Sequence, residues 1–556
     1  MRRLDGSSVL GRTVVNRPHL SLWALLTLLV GCGGGGAVAP AGSVTVSGQV
    51  SFDRVPFSAT ARAGLDFTRV VQAPGRGLSV EAIAASNAAV LATATTDASG
   101  LYSMIVAPNT DMFVRVKAQM QRVGTPSWNF SVRDNTALDA LYTLDGSVFN
   151  TATTAVTRNL NAASGWGGNA YTAPRAAAPF AILDTVYMAY SLVLSANASS
   201  VFPALQLQWS PKNIPSGDGS AAALASGQIV TTFFASAGGG NPARIYILGA
   251  ADTDTDEFDT PVLAHEWGHY YQNAFSRDDS LGGNHSIGDR LDLRVAFSEG
   301  WGNAFSGMVR NDPVYRDSSG VRQGSDFSFS VETPTSGSVG WYSEETVQSL
   351  LWDIYDPANE PTDNVNLGFA PIHAAMSGAV RSSSAFSSIY SFLAALRSAN
   401  PAQATAISQL VSAQKLNPTS DDFGTNETNN AGDARNLPIY ATLTSGVTLP
   451  QVCSAAVNGT YNRLGNRKFM RFDVTGTRGA TIAAVNGPTG SDPDIVLYAM
   501  GTEQARAESN ASGSETLTVG KLAAGTYIVE VYEYSNVAQG AVSRGDTCFD
   551  VQLTLN

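Results

Sequence analysis

The sequence predicts a multidomain chain in which a central α+β domain is flanked by two β-sandwich domains. Three observations predict it. A chain of 556 residues is longer than one hydrophobic core supports. Toward both ends, short runs of alternating apolar and polar residues are separated by turn signals, the period-2 signature of strands with one buried face. Between them, strand-like runs come first and helical runs later, the order of an α+β domain.

The first segment is an export signal. Arg2, Arg3, Arg12 and Arg17 precede the apolar run LSLWALLTLLVG, which ends at Cys32. That run is shorter than the roughly 20 apolar residues a spanning helix needs. Leu29-Val30-Gly31-Cys32 resembles the lipobox of bacterial lipoproteins, which implies a signal peptide over 1–31, lipid on Cys32, and an exported chain anchored to the bacterial membrane or cell surface. A plain signal peptide cut after Cys32 is the alternative. Residues 32–42, Gly-rich and without apolar period, read as a tether.

Residues 43–155 contain VTVSGQV, LSVEAIA, LYSMIVA and MFVRVKA, split by TTDASG and APNT. GLSVEAIA, TTDASGLYSMIVAPNT and FVRVKA resemble the carboxypeptidase regulatory-like β-sandwich, a likeness that implies a fold and no chemistry. Residues 160–446 form the central domain, with the helical run AAPFAILDTVYMAYSLVL, the strands LQLQW, IVTTFF and ARIYILGA, then helices such as EETVQSLLWDIY. Residues 450–556 return to alternation in six runs, RKFMRFDVTG, GATIAAV, DIVLYAMG, ETLTVGKL, GTYIVEVYEY and CFDVQLTLN. Asp492-Pro493-Asp494 and LAAGTYIVEVY there resemble the bacterial pre-peptidase C-terminal domain, which usually accompanies secreted peptidases. With Cys32 lipidated, Cys453 and Cys548 remain as an even pair in an exported chain, and are expected to form a disulfide across this segment; two free buried thiols are the alternative.

The net charge of −12 and pI near 4.9, without a basic patch, set nucleic acid aside as a partner. Chemistry is concentrated in VLAHEWGHYYQ. Asp259-Thr260-Pro261 reads as a helix start, with Asp or Thr as cap and Pro in the first turn. Leu263, Trp267, Tyr270 and Ala274 then recur at helical spacing as a buried face. His265 and His269, two of only five histidines, lie one turn apart and point the same way. Glu266 sits beside the first of them, within reach of a water on a shared metal without being a ligand. The bland reading is a pair of satisfied core histidines.

A third ligand is needed, and His285 and Glu299 are the candidates. The metzincin pattern fails because Gln272 and Phe275 occupy its Gly and His positions, which favours the carboxylate. In RVAFSEGWGNAFSGM, Phe297, Trp301, Ala304, Phe305 and Met308 share one helical face. Glu299 projects from the other, among Ala296, Gly300, Asn303 and Gly307, whose small size lets a second helix come close. HEWGH followed thirty residues later by FSEGWGNAFSG resembles the gluzincins, the thermolysin-like zinc metallopeptidases. The resemblance implies a zincin-like central domain, Zn2+ on His265, His269 and Glu299, Glu266 as general base, and Asn303 where the family has an Asp supporting a ligand histidine. It also implies peptide or protein substrates and an oxyanion donor, for which Tyr342 and His373 are candidates. ARIYILGA is an edge on which a peptide could pair, or an internal strand. The acidic run Ala251–Asp259 offers oxygen ligands for Ca2+, or is a solvated loop, since it lacks the Gly and terminal Glu of an EF-hand. Two other functions stay open: a surface-binding lipoprotein with an inactive peptidase-like domain, and a zinc hydrolase of non-peptide substrates.

Overall fold

The computed structural model describes residues 42–357 and 363–556. The export signal, the lipobox with Cys32, and all of the tether but Gly42 lie outside the described residues. What is described is a β-rich, multi-sheet, multidomain chain with helices concentrated in its middle.

Alternation builds the N-terminal sandwich as expected. Val44–Arg54 buries every second residue, Val44, Val46, Gly48, Val50 and Phe52 in step. It pairs antiparallel with Leu101–Val106, while Ser79–Ala84, Val90–Thr95 and Asp111–Lys117 form the second sheet. Val46, Phe52, Val80, Met104, Val114 and Val116 meet in one apolar core.

The sheets cross the expected limit at 155–160. Val156–Thr157 and Leu160–Ala162 return to pair in parallel with Val44–Arg54. Conversely, Gln119–Arg122 and Trp128–Asp134 leave the sandwich for the central sheet, whose order is Phe233–Ala235, Ala243–Ile247, Leu205–Trp209, Trp128–Asp134, Gln119–Arg122. Alternation records that a strand has a buried face but not which sheet owns it. Ala243–Ile247 is therefore internal, and the edge belongs to Phe233–Ala235, antiparallel to it. The helix Ala178–Ala196 crosses beneath, with Phe180, Ile182, Val186, Ala189 and Val193 buried in the same core.

The C-terminal sandwich has two sheets closed over Met470, Phe472, Ile482, Leu497, Val529 and Val551. It holds three more strands than the six alternating runs. Thr448–Ser454 carries Pro450 and a bulge, and Thr502–Ala507 is a polar edge, so neither alternates cleanly. Tyr440–Thr442, from before the expected limit at 446–450, also joins it in parallel with Arg467–Val474. Cys453 and Cys548 sit opposite each other on neighbouring strands and are disulfide-bonded, tying the first strand of their sheet to the last.

Three helices place the motif residues in the middle: the motif helix Thr260–Phe275, the second helix Leu293–Arg310, and Glu344–Tyr355 behind it. Pro261 stands in the first turn as expected, but Asp259 does not cap; its carboxylate accepts from the Ser318 backbone N–H (2.6 Å) and hydroxyl (2.8 Å) on a neighbouring strand. The second helix is capped by Asp292, which accepts from Arg294 N–H at 3.0 Å, and closed by Asn311 in the left-handed conformation.

Candidate metal centre

The motif helix and the second helix are joined on their aromatic side. Trp267 stacks on Phe305 and Tyr271 on Trp301, with ring centroids 5.5 and 5.1 Å apart, and Trp301 Nε1–H donates to the Gly268 carbonyl at 3.0 Å. Glycine sets the spacing, though not the glycines expected. Gly300 and Gly307 abut Val347 and Trp352 of the third helix. The approach of the two motif helices depends on Gly268 and Gly302: a Cβ on Gly268 would lie 3.2 Å from Gly302 Cα, and one on Gly302 would lie 2.7–2.9 Å from three ring atoms of His265.

That approach brings His265, His269 and Glu299 together, all buried. His265 Nε2 lies 3.1 Å from His269 Nε2, and Glu299 Oε2 lies 3.3 Å from the first and 3.5 Å from the second. The edges of a tetrahedron drawn around a zinc ion at about 2.0–2.1 Å are about 3.3–3.4 Å. Three side-chain atoms at these separations could hold a metal and leave one position open.

Hydrogen bonds fix which ring nitrogen carries the lone pair. Asn303 donates its amide N–H to Gln348 Oε1 at 2.9 Å, so its oxygen faces His265 Nδ1 at 2.8 Å and accepts from it. Ser298 Oγ donates to Gln272 Oε1 at 3.2 Å, so the same oxygen is left to accept from His269 Nδ1, also at 3.2 Å. Each histidine thus donates from Nδ1 and turns Nε2 toward the other and toward Glu299, so that Nε2 is the nitrogen available to a metal. Asn303 supports His265 as its position implies, without the charge an Asp would add.

The same carboxylates draw positive charge onto the histidines. Burial would raise the Glu299 carboxyl, but His285 and His269 hold it well below the usual range. Burial would lower the His269 imidazole, but Glu299 and then Glu266 lift it to about 9. Glu266 stands beside the three without joining them. Burial raises its carboxyl against the opposing pull of His265 and His269, and its Oε2 accepts from Phe234 N–H at 2.8 Å on the edge strand of the central sheet.

His285, weighed as a ligand, comes close but differently. Its Nε2 is 3.2 Å from Glu299 Oε2 and its Nδ1 2.8 Å from Glu344 Oε2, so it bridges two carboxylates from outside the three-atom cluster. Burial lowers it; Glu299 and Glu344 outweigh burial and raise it to about 10. The two oxyanion candidates go elsewhere. The Tyr342 hydroxyl donates to the Val339 carbonyl at 3.1 Å, and His373 Nδ1 pairs with the Tyr271 hydroxyl at 2.7 Å among Phe275 and Phe369, on the core face of the motif helix. Tyr315, missed in the sequence, is buried with its ring centroid 6.2 Å from that of His265. Its only sequence signal was membership of an alternating strand.

No family model and no curated protein matches the chain. Solved structures that align with it include a pre-peptidase C-terminal domain of collagenase from Bacillus anthracis, over 21% of this chain and 94% of its own, at 15% identity and TM-score 0.16. A 9R-lipoxygenase from Cyanothece PCC8801 aligns over 30% of this chain and 27% of its own, at 9% identity and TM-score 0.13. Similarity at these scores carries no argument about activity.

Proposed function

We propose that the chain is a zinc-dependent metallopeptidase of gluzincin type, exported and lipid-anchored through Cys32, whose central domain is zincin-like and cleaves peptide bonds in peptide or protein substrates. His265, His269 and Glu299 hold the zinc, and Glu266 is the general base. The observation that carries this reading is the convergence of two Nε2 atoms and a carboxylate oxygen at 3.1, 3.3 and 3.5 Å. Gathered this closely, the three atoms need positive charge between them, which a proton on His269 or a bound metal ion would supply. Their chemistry, two imidazoles and one carboxylate with one position open, is that of catalytic rather than structural zinc.

When bound, zinc supplies Lewis acidity toward a substrate carbonyl and toward water. The remaining work falls to this chain's side chains and backbone. Glu266 has one oxygen anchored by Phe234 N–H, which leaves Oε1 to take a proton from water and return it to the leaving amine. Burial raises this carboxyl toward the pH at which it works, which strengthens it as a base. Phe233–Ala235 pairs on one side only among the described residues, so its other edge can align an extended peptide beside Glu266.

Metal analysis of purified protein is expected to find one zinc per chain. Glu266→Gln is expected to keep that zinc while casein hydrolysis falls by about a hundredfold or more. Protein that binds no zinc, or Glu266→Gln that cleaves casein at the parent rate, would refute the reading.

A further inference from the structure

A second group of carboxylates lies below the start of the motif helix, and the pairing of two strands creates it. Asp254 pairs with Ser319 in an antiparallel register, so Asp256 is carried toward Asp317 on the facing strand Val314–Ser319. Asp254 and Asp256 are two residues apart and share a face. Their ligand oxygens and that of Asp317 all lie within 4.8 Å of one another. Like charges opposed across strands destabilise a sheet, and no described Lys or Arg forms an ion pair with any of the three.

An independent observation points to a ligand. Asp256 is 2% exposed, and its Oδ1 has no hydrogen-bond partner among the described residues; its Oδ2 accepts from the Thr232 hydroxyl. The Tyr315 hydroxyl, on the same face as Asp317 and outside the acidic group, is also buried and unpartnered. Asp254 Oδ1 and Thr255 Oγ1 are unpartnered as well. Asp254 Oδ1, Asp256 Oδ1 and the Tyr315 hydroxyl are three unpartnered buried oxygens on this side of the paired strands, where buried polar atoms are normally satisfied.

We propose that Asp254, Asp256 and Asp317 form a second, structural cation site that takes a hard divalent ion of the Ca2+ class through oxygen ligands. An all-oxygen donor set selects a hard cation over zinc, and the spread of the three carboxylates suits the long, flexible bonds of Ca2+ better than the short octahedral ones of Mg2+. The acidic run Ala251–Asp259 thus divides. Asp254 and Asp256 are ligands, Asp317 arrives from a distant strand, and Asp252 and Asp259 are spent on Arg322 N–H and Ser318. The ion fixes the edge of the cleft. Asp256 holds Thr232, which immediately precedes the edge strand whose Phe234 N–H anchors Glu266.

The test uses the full chain, stripped with EDTA and freed of chelator, and reads thermal unfolding and calorimetric titration rather than hydrolysis. CaCl2 at about 5 mM, above the affinity range of extracellular calcium modules, is expected to raise Tm by several degrees with one ion bound per chain. Tb3+ is expected to show luminescence on tyrosine excitation that Ca2+ competes away. His269→Ala is expected to keep the Ca2+ response, so failure of the zinc reading leaves this one standing. Asp317→Asn is expected to bind Ca2+ at least tenfold more weakly, with Asp254→Asn as the second variant. An unchanged Tm in Ca2+, a response to Mg2+ but not to Ca2+, or Asp317→Asn and Asp254→Asn that titrate like the parent would each overturn the site.

Discussion

Gly302→Ala tests the metal centre through a methyl group that touches no metal. In a helix interior, Ala is favoured over Gly by about 1 kcal/mol, so propensity alone favours the variant. The new Cβ, however, falls 2.7 Å from Cε1, 2.8 Å from Nδ1 and 2.9 Å from Nε2 of His265. Relief to ordinary contact requires the ring to move by roughly half an ångström. The ring cannot simply slide, because Asn303 holds Nδ1 and the helix behind it abuts Phe305. Ligand positions in a metal site tolerate about 0.2 Å. The displacement exceeds that, and the expected loss of zinc affinity is about 10- to 100-fold, or about 1.4–2.8 kcal/mol. Strain of about 1–3 kcal/mol, partly offset by the propensity gain, leaves the fold intact. Competition with a chromophoric chelator measures the affinity, and circular dichroism with a thermal melt checks the fold. Gly307→Ala is the control, because its Cβ meets Trp352 and Val331 on the far side; it is expected to lose stability and keep zinc. A folded Gly302→Ala protein that binds zinc within twofold of the parent would refute both the ligand role of His265 and the glycine contact as its cause.

Asn303→Ala removes the acceptor at His265 Nδ1 and frees Gln348, and is expected to weaken zinc by about 10- to 100-fold in the same titration, whereas Asn303→Asp, by adding charge behind the ring, is expected to bind more tightly than the parent. Arg294→Met leaves Asp292 buried without its cation and Glu530 with Arg467 alone; denaturant unfolding is expected to show a loss of about 3–5 kcal/mol. Asp494 gives the pH dependence. Burial first, and then Asp492 and Glu508, lift its carboxyl from the ordinary 3.8 to about 8, so the folded state keeps a proton that the unfolded chain releases. Its contribution is whole below about pH 4 and is lost as the pH rises through about 8. Calorimetry is expected to show the C-terminal sandwich melting lower at pH 8 than at pH 5, and Asp494→Asn flattening that slope.

What the sequence made legible was local. The i,i+4 histidines, Pro261 in the first turn of their helix, and the buried faces of Val44–Arg54 and Arg478–Val485 are all patterns that a short window contains. What it hid depends on pairing between distant segments. Nothing near His285 announces Glu344, 59 residues away at the start of another helix, and nothing near Asp256 announces Asp317, which strand register carries to it. The glycines of the second helix were legible as a license for close packing, but the direction each one faced was not. Gly300 and Gly302 are two residues apart and so serve opposite partners, Val347 and His265. Sheet membership was hidden for the same reason: Trp128–Asp134 and Tyr440–Thr442 are short strands, and a local pattern is silent about the sheet they join.

The C-terminal sandwich is built into the scaffold of the metal centre rather than hung from it. Arg294, in the first turn of the helix that carries Glu299, is fully buried between Asp292 and Glu530 of the sandwich, with the faces of Phe386 and Phe469 4.6 and 4.8 Å from its guanidinium. Asn462, from the sandwich, accepts the Asp292 N–H through its carbonyl and donates its amide to the Gly282 carbonyl at 2.8 Å and to that of Asn284 at 3.2 Å. These contacts hold both ends of the loop that delivers His285 to Glu299. A helix whose Gly300 and Gly302 each forfeit about 1 kcal/mol of propensity relative to Ala needs its ends fixed from outside. The sandwich supplies that fixation at the N-terminal end, Asp259 with Ser318 ties the strand Val314–Ser319 to the start of the motif helix, and the metal centre lies between the two anchors.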